Sequence, residues 1–123
     1  MAVYEIKFTR EGLANAKSLP KNVRNSLKKE LRSIVALDPK GCSEPLTGFL
    51  EGWFSFHYLE YRIVFKVFDD LLAIGIAGIG KHDKDAERDI YRKLEVLAKT
   101  GKLAESVLST FRALTVLPPG GSS

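Results

Sequence analysis

The side chains with the widest chemical reach in this chain are few. Two histidines, His57 and His82, can trade protons near neutral pH. Arg62 lies between them in a run of aromatic and β-branched residues, and its planar fork suits a phosphate. Glu44 stands ahead of a glycine-containing loop, Lys81 adjoins His82, and Tyr91 follows downstream. Lys21, Arg24, Lys28 and Arg32 recur at spacings of three and four, so on a helix they share one side. A basic N-terminal third of this kind can meet phosphates. Each residue also has an ordinary reading. Arg62 can pair with Glu60 or Asp85, and Glu44 and His82 can be solvated loop residues. Tyr91 can pack on a sheet, Trp53 can be a buried aromatic, and Lys81 and the helix cations can simply face water.

Composition bounds these readings. The chain has 123 residues, enough for one domain, with 45% hydrophobic residues for a core and 28% charged residues. That balance argues against general disorder. The net charge is +4 and the sequence pI near 9.2, modestly basic. The charge is uneven: +5 over residues 1–43, −3 over 44–80 and +2 over 81–123. Cys42 is the single cysteine, which excludes an internal disulfide and a cysteine-based zinc site. The opening MAVYEIKF alternates like a strand and not like a signal peptide. The longest apolar run, Leu71 to Ile79, is too short to span a bilayer. The expectation is a cytoplasmic protein with no membrane partner.

The elements that must position these residues can be read in order. Val3 to Thr9 predicts a strand, and Arg10 to Ser18 a helix. Pro20 opens a second helix, on which Val23, Leu27, Leu31, Ile34 and Val35 form one apolar stripe. Asp38-Pro39 and Gly41 stop it, giving an αα-hairpin. Residues 39–52 read as loop. Gly52 to Tyr58, Tyr61 to Phe68 and Leu71 to Ile79 then predict three strands, with a turn at Asp69-Asp70. In the first of these, Trp53, Ser55 and His57 share a face. In the second, Arg62, Val64 and Lys66 do. Helices follow from about Lys84 to Thr100 and from Lys102 to Leu114. The last carries Leu103, Val107, Leu108, Phe111 and Leu114 on one side.

The fold class that follows is α+β: an N-terminal strand, an αα-hairpin, a three-stranded antiparallel meander completing a four-stranded sheet, and C-terminal helices. The first strand joins the sheet edge after the helical crossover. The helices pack on one face and leave the other open as a binding surface, and the last helix packs on the helical layer. Residues 1–100 form the domain, 101–117 an added helix on the same domain, and 118–123 a flexible tail.

Several fragments in this order resemble the RelE/ParE toxin superfamily. They are Glu44-Pro45-Leu46-Thr47-Gly48, Gly52-Trp53-Phe54-Ser55, Tyr61-Arg62-Ile63-Val64-Phe65-Lys66-Val67, Gly80-Lys81-His82-Asp83 and Asp89-Ile90-Tyr91. The similarity spans residues 3 to 98, and Tyr61 to Phe65, set between two strands, is its most specific piece. The resemblance implies a RelE-like microbial RNase fold. It also implies a cytoplasmic toxin that is neutralised by a cognate antitoxin in a toxin–antitoxin hetero-oligomer. The RelE-like branch enters the ribosomal A site and cuts mRNA without a metal or cofactor: the ribose 2′-OH attacks the adjacent phosphate and a cyclic phosphate results. The ParE-like branch inhibits DNA gyrase and needs no catalytic residues. A toxin-like binding module without activity is a third outcome.

Carried over residue by residue, the resemblance implies that Arg62 binds the phosphate and that His82 and Glu44 act as acid and base. Tyr91 matches the family's stacking or acid tyrosine. Lys81, Trp53, His57 and the set Lys21, Arg24, Lys28 and Arg32 become RNA contacts. The chain departs from RelE at two strand positions that hold lysines in that protein. Here they are Trp53 and Ser55, so the lysine-based mechanism does not transfer.

Overall fold

The structure, a computed structural model, describes residues 3–85 and 88–115, with side chains up to residue 110. The expected tail from Pro118 to Ser123 lies outside the described residues, as do the side chains of Phe111 and Leu114. The elements in chain order are β1 (Glu5–Phe8), α1 (Arg10–Lys17), α2 (Lys21–Glu30), β2 (Glu44–Pro45), β3 (Phe54–Tyr58), β4 (Tyr61–Phe68), β5 (Ala73–Lys81), α3 (Ile90–Lys99) and α4 (Lys102–Thr115). No helix among the described residues is long and apolar enough to cross a membrane.

The sheet is mixed, in the order β1-β5-β4-β3-β2. β3, β4 and β5 form the expected antiparallel meander. β1 joins its edge in parallel with β5 after the helical crossover. A fifth strand was not foreseen. Glu44 and Pro45, read as loop, pair antiparallel with Ser55 and Phe54. A proline reads as a strand breaker, but it costs nothing on an outer edge where its nitrogen faces away from the ladder.

β1 is short because α1 replaces it along the edge of β5. Thr9 caps α1, its hydroxyl accepting from the Gly12 N–H at 3.1 Å. Gly12 then lies against the β5 backbone, and a Cβ there would collide with the Ile76 carbonyl. A register shift between Val64 and Phe65 puts an extra residue into β5 near Ala77. Beyond it the Ile79 N–H is taken by the Asn15 side chain at 3.0 Å. α1 thus covers an edge that would otherwise be left unpaired.

α2 follows its predicted stripe except at Ile34, which is exposed. Leu27, Leu31 and Val35 are buried, and the helix ends in one wide turn in which the Ala36 N–H reaches the Leu31 carbonyl at 2.8 Å. These side chains join Ile63, Phe65, Ile74, Ile76 and Phe56 in a core on one face of the sheet.

The other face carries a second core, and here the expectation is corrected. This face is not open along its length: Ile90 and Leu94 of α3 and Leu103 and Val107 of α4 bury Trp53, Val64, Ala73 and Ala77. α4 does not lie on the α1–α2 layer. It packs against α3 and β5, and the Ser106 hydroxyl donates to Glu11 of α1 at 2.7 Å. The inward face of β5 has only small side chains (Gly75, Ala77, Gly78), which admits a helix closely. α3 also starts later than predicted. The helix begins only where Asp89 caps it. Leu59, between β3 and β4, and Leu72, before β5, have φ values of 56° and 48°, the left-handed region that costs a branched side chain energy.

Candidate functional site

The strand register sorts the second face into rows. Trp53 and Lys66 lie at one end, with the Lys66 ammonium 5.8 Å from the indole centroid. Next come Glu44, Ser55 and Val64, set side by side on β2, β3 and β4. His57 and Arg62 form the following row, directly opposite each other across β3 and β4. Opposed residues in an antiparallel pair point to the same side, so all of these share one face.

The two C-terminal helices divide that face. α4 closes the Trp53 end: a small apolar cavity there is lined by Trp53, Lys66, Leu103, Val107 and Leu108. The first turn of α3 closes the middle, where the Tyr91 hydroxyl lies 2.8 Å from the buried Ser55 hydroxyl. In the next row His57 and Arg62 lie outside the second core, while Ile90 of α3 sits against Gly80, the β5 neighbour of Arg62. His57 is exposed and Arg62 half-buried. The guanidinium donates to the Tyr61 carbonyl at 3.3 Å, and it pairs with no carboxylate among the described residues. Neither Glu60 nor Asp85 takes it. Glu60 is bound by Lys81 at 3.1 Å, and Asp85 pairs with Arg88.

His82 follows β5 and completes the rim. Its ring meets Tyr91 edge-on with centroids 5.0 Å apart. Its Nδ1 lies 2.6 Å from Asp89 Oδ1. The His82 side chain is 59% exposed, whereas that of Asp89 is 5% exposed. Burial alone would raise the Asp89 carboxyl. Hydrogen bonds from His82 and from the N–H groups of Asp83 and Arg92 outweigh burial and hold it below the ordinary carboxylate range. The site is therefore a shelf bearing an arginine and a histidine. A second histidine anchored by a buried carboxylate stands at its rim, with a tyrosine as wall. An exposed glutamate lies one strand over.

The structure brings Glu44, His57, Arg62, His82 and Tyr91 to this one face. It does not bring the other expected RNA contacts there. Trp53 is a correction: only 6% of it is exposed, and α4 and Lys66 occupy its ring, so base stacking is closed to it. Lys81 is another. It stands opposite Tyr61, whose ring packs on the first core, so it points away from Arg62 and binds Glu60. Lys21, Arg24 and Lys28 lie on α2 and Arg32 in the wide turn that ends it, across the sheet from the shelf, and Arg24 turns to the Lys17 carbonyl. Residue patterns alone missed Asp89 and Ser55. The signal for Asp89 was an aspartate just before an apolar helical repeat, a common cap; strand alternation put Ser55 on the face of His57 but did not mark it as the partner of Tyr91. Among the described residues no cluster of three or more histidine, cysteine or acidic side chains could hold a metal ion.

No protein-family model and no curated protein matches the sequence. Solved structures do match the fold. A RelBE toxin–antitoxin complex from Mycobacterium tuberculosis is similar at 21% identity and a TM-score of 0.63, covering 66% of this chain and 93% of that one. The intact E. coli RelBE complex is similar at 25% identity and a TM-score of 0.56, over 66% and 99%. The YoeB/ParE toxin from Agrobacterium tumefaciens is similar at 17% identity and a TM-score of 0.54, over 64% and 99%. By these matches the fold of this chain is that of the RelE/ParE toxin superfamily.

Proposed function

We propose that this protein is the toxin of a type II toxin–antitoxin pair and acts as a metal-independent endoribonuclease that cleaves mRNA in the ribosomal A site. The observation that carries this reading is Arg62. It has no carboxylate partner among the described residues and stands directly opposite the exposed His57 on the second face of the sheet. A buried or half-buried cation left without an anion suits an incoming phosphate.

The chemistry assigns the roles. Glu44 takes the proton from the ribose 2′-OH, whose oxygen attacks the adjacent phosphorus. The negative charge that builds on the phosphorane oxygens is met by the Arg62 fork. The P–O5′ bond breaks, and His82 gives its proton to the departing 5′ oxygen, leaving a 2′,3′-cyclic phosphate. His57 lies on the strand opposite Arg62, placed to stack on a base. Tyr91, held by Ser55, forms the wall. An antitoxin would cover this same shelf, and toxin–antitoxin complexes among the similar structures support such a partner.

One observation favours a second, non-enzymatic reading of the gyrase-inhibitor kind. The positions where the resemblance implies lysines are Trp53 and Ser55, and both are buried. The two readings separate in one experiment. Toe-printing of mRNA on ribosomes programmed with the purified protein shows new 5′ ends in the A-site codon if the first holds. Intact mRNA together with blocked gyrase supercoiling would establish the second.

A further inference from the structure

The buried carboxylate behind His82 does more than a helix cap requires. A cap needs one acceptor: Thr9 caps α1 with a single hydroxyl. Asp89 spends one oxygen that way, Oδ2 accepting from the Arg92 N–H at 3.1 Å. Its other oxygen, Oδ1, accepts from the Asp83 N–H at 3.0 Å and faces His82 Nδ1 at 2.6 Å. We propose that Asp89 is the positioning residue for His82: it fixes the imidazole as the Nδ1–H tautomer and presents Nε2 to the shelf as the working nitrogen.

The argument is one of donors and acceptors. An ionised carboxylate only accepts, so the imidazole nitrogen facing it must donate. Nδ1 therefore carries hydrogen in both the neutral and the charged ring, and Nε2 is the nitrogen that gains or loses a proton. The lowered Asp89 carboxyl agrees with an acceptor that stays ionised. Rotation of the ring is checked from two sides, by Asp89 at Nδ1 and by the Tyr91 ring at its edge. Because Asp89 is also the first residue of the α3 turn that carries Tyr91, one carboxylate sets both rim residues. Its effect on turnover rests on the nuclease reading above; its effect on the tautomer does not.

The test starts with 15N NMR of the two histidines in the free full-length chain, with exposed His57 as the internal reference. The expected result is an Nδ1–H tautomer for neutral His82. Asp89→Ser can still cap α3 through its hydroxyl, as Thr9 caps α1, but has no second oxygen to face His82. Expected is a changed His82 tautomer and a loss of cleavage on programmed ribosomes on the order of 10²–10⁴-fold, with the His57 signals unmoved. An Nε2–H tautomer in the parent overturns the proposal, whether or not any variant folds. An unchanged His82 tautomer in a folded Asp89→Ser chain overturns the positioning by Asp89, and parental cleavage by an Asp89→Ser chain whose tautomer has changed overturns the assignment of Nε2. A parent that holds the Nδ1–H tautomer but cuts no mRNA supports the positioning and defeats the nuclease reading instead.

Discussion

The Tyr91 hydroxyl lies 2.8 Å from the Ser55 hydroxyl and joins the first turn of α3 to the middle of β3. Ser55 is buried, so this bond is its means of keeping a polar atom satisfied away from water. Tyr91→Phe removes the partner and is expected to cost about 1–3 kcal/mol. Adding Ser55→Ala removes the stranded hydroxyl as well and should recover part of that loss. Urea unfolding of both single variants and the double variant measures the coupling. Strictly additive losses would show that the two hydroxyls do not interact.

Among the described residues Arg62 makes one hydrogen bond, to a neighbouring carbonyl, so the fold does not depend on it. Arg62→Ala should change stability by no more than about 0.5 kcal/mol and remove most growth inhibition on induced expression. Arg62→Lys keeps the charge without the bidentate fork and should restore only part of it. Undiminished toxicity of a folded Arg62→Ala chain would remove Arg62 from the site.

α4 makes the Trp53 end of the sheet a core. Leu103 and Val107 are buried there over the single tryptophan of the chain. Leu103→Ala should cost about 2–5 kcal/mol. Deleting residues 102–123 should lower the Tm, shift Trp53 emission to the red and expose apolar surface to dye. A truncated chain of equal stability and greater toxicity would mean that α4 restrains the site instead of completing the core.

Acid should loosen the α3 end first. Asp89 has a folded carboxyl value below the unfolded one of about 3.9. Its contribution is therefore complete above the unfolded value and is lost as pH falls through the lower folded value. Thermal unfolding followed from pH 5 down to pH 2 should show a steeper fall for the parent than for Asp89→Asn, which has no such carboxyl to protonate. Parallel curves would mean that other acids govern the loss.

How much of this was legible depends on the kind of signal each residue gives. The meander was, because alternation in 52–58 and 61–68 fixes which side chains share a face, and the strands follow it. The α2 stripe was, because Leu27, Leu31 and Val35 repeat at helical spacing. β2 was not: a two-residue strand holding a proline has no period to read. The destination of α4 was not, because an apolar stripe shows that a helix must be buried and does not say against what. That one ambiguity misplaced Trp53, whose face is set by alternation but whose cover is set by a helix some fifty residues later in the chain. Lys81 was misplaced because the strand was read to end at Ile79; β5 runs on through Lys81 and sets it opposite Tyr61, away from Arg62. Asp89 lay inside a fragment used only for likeness, and its bond to His82 depends on a turn that no periodic pattern predicts.

The most direct test is single-turnover cleavage on programmed ribosomes, with mass analysis of the new 3′ ends, for the parent, Arg62→Ala, His82→Ala and Glu44→Ala. The parent is expected to cut in the A-site codon and leave a 2′,3′-cyclic phosphate. Each variant should be slower by about 10²–10⁴-fold while unfolding near the parental temperature. Cleavage by all three variants at the parental rate, or products that end in a free 3′-hydroxyl, would contradict the account.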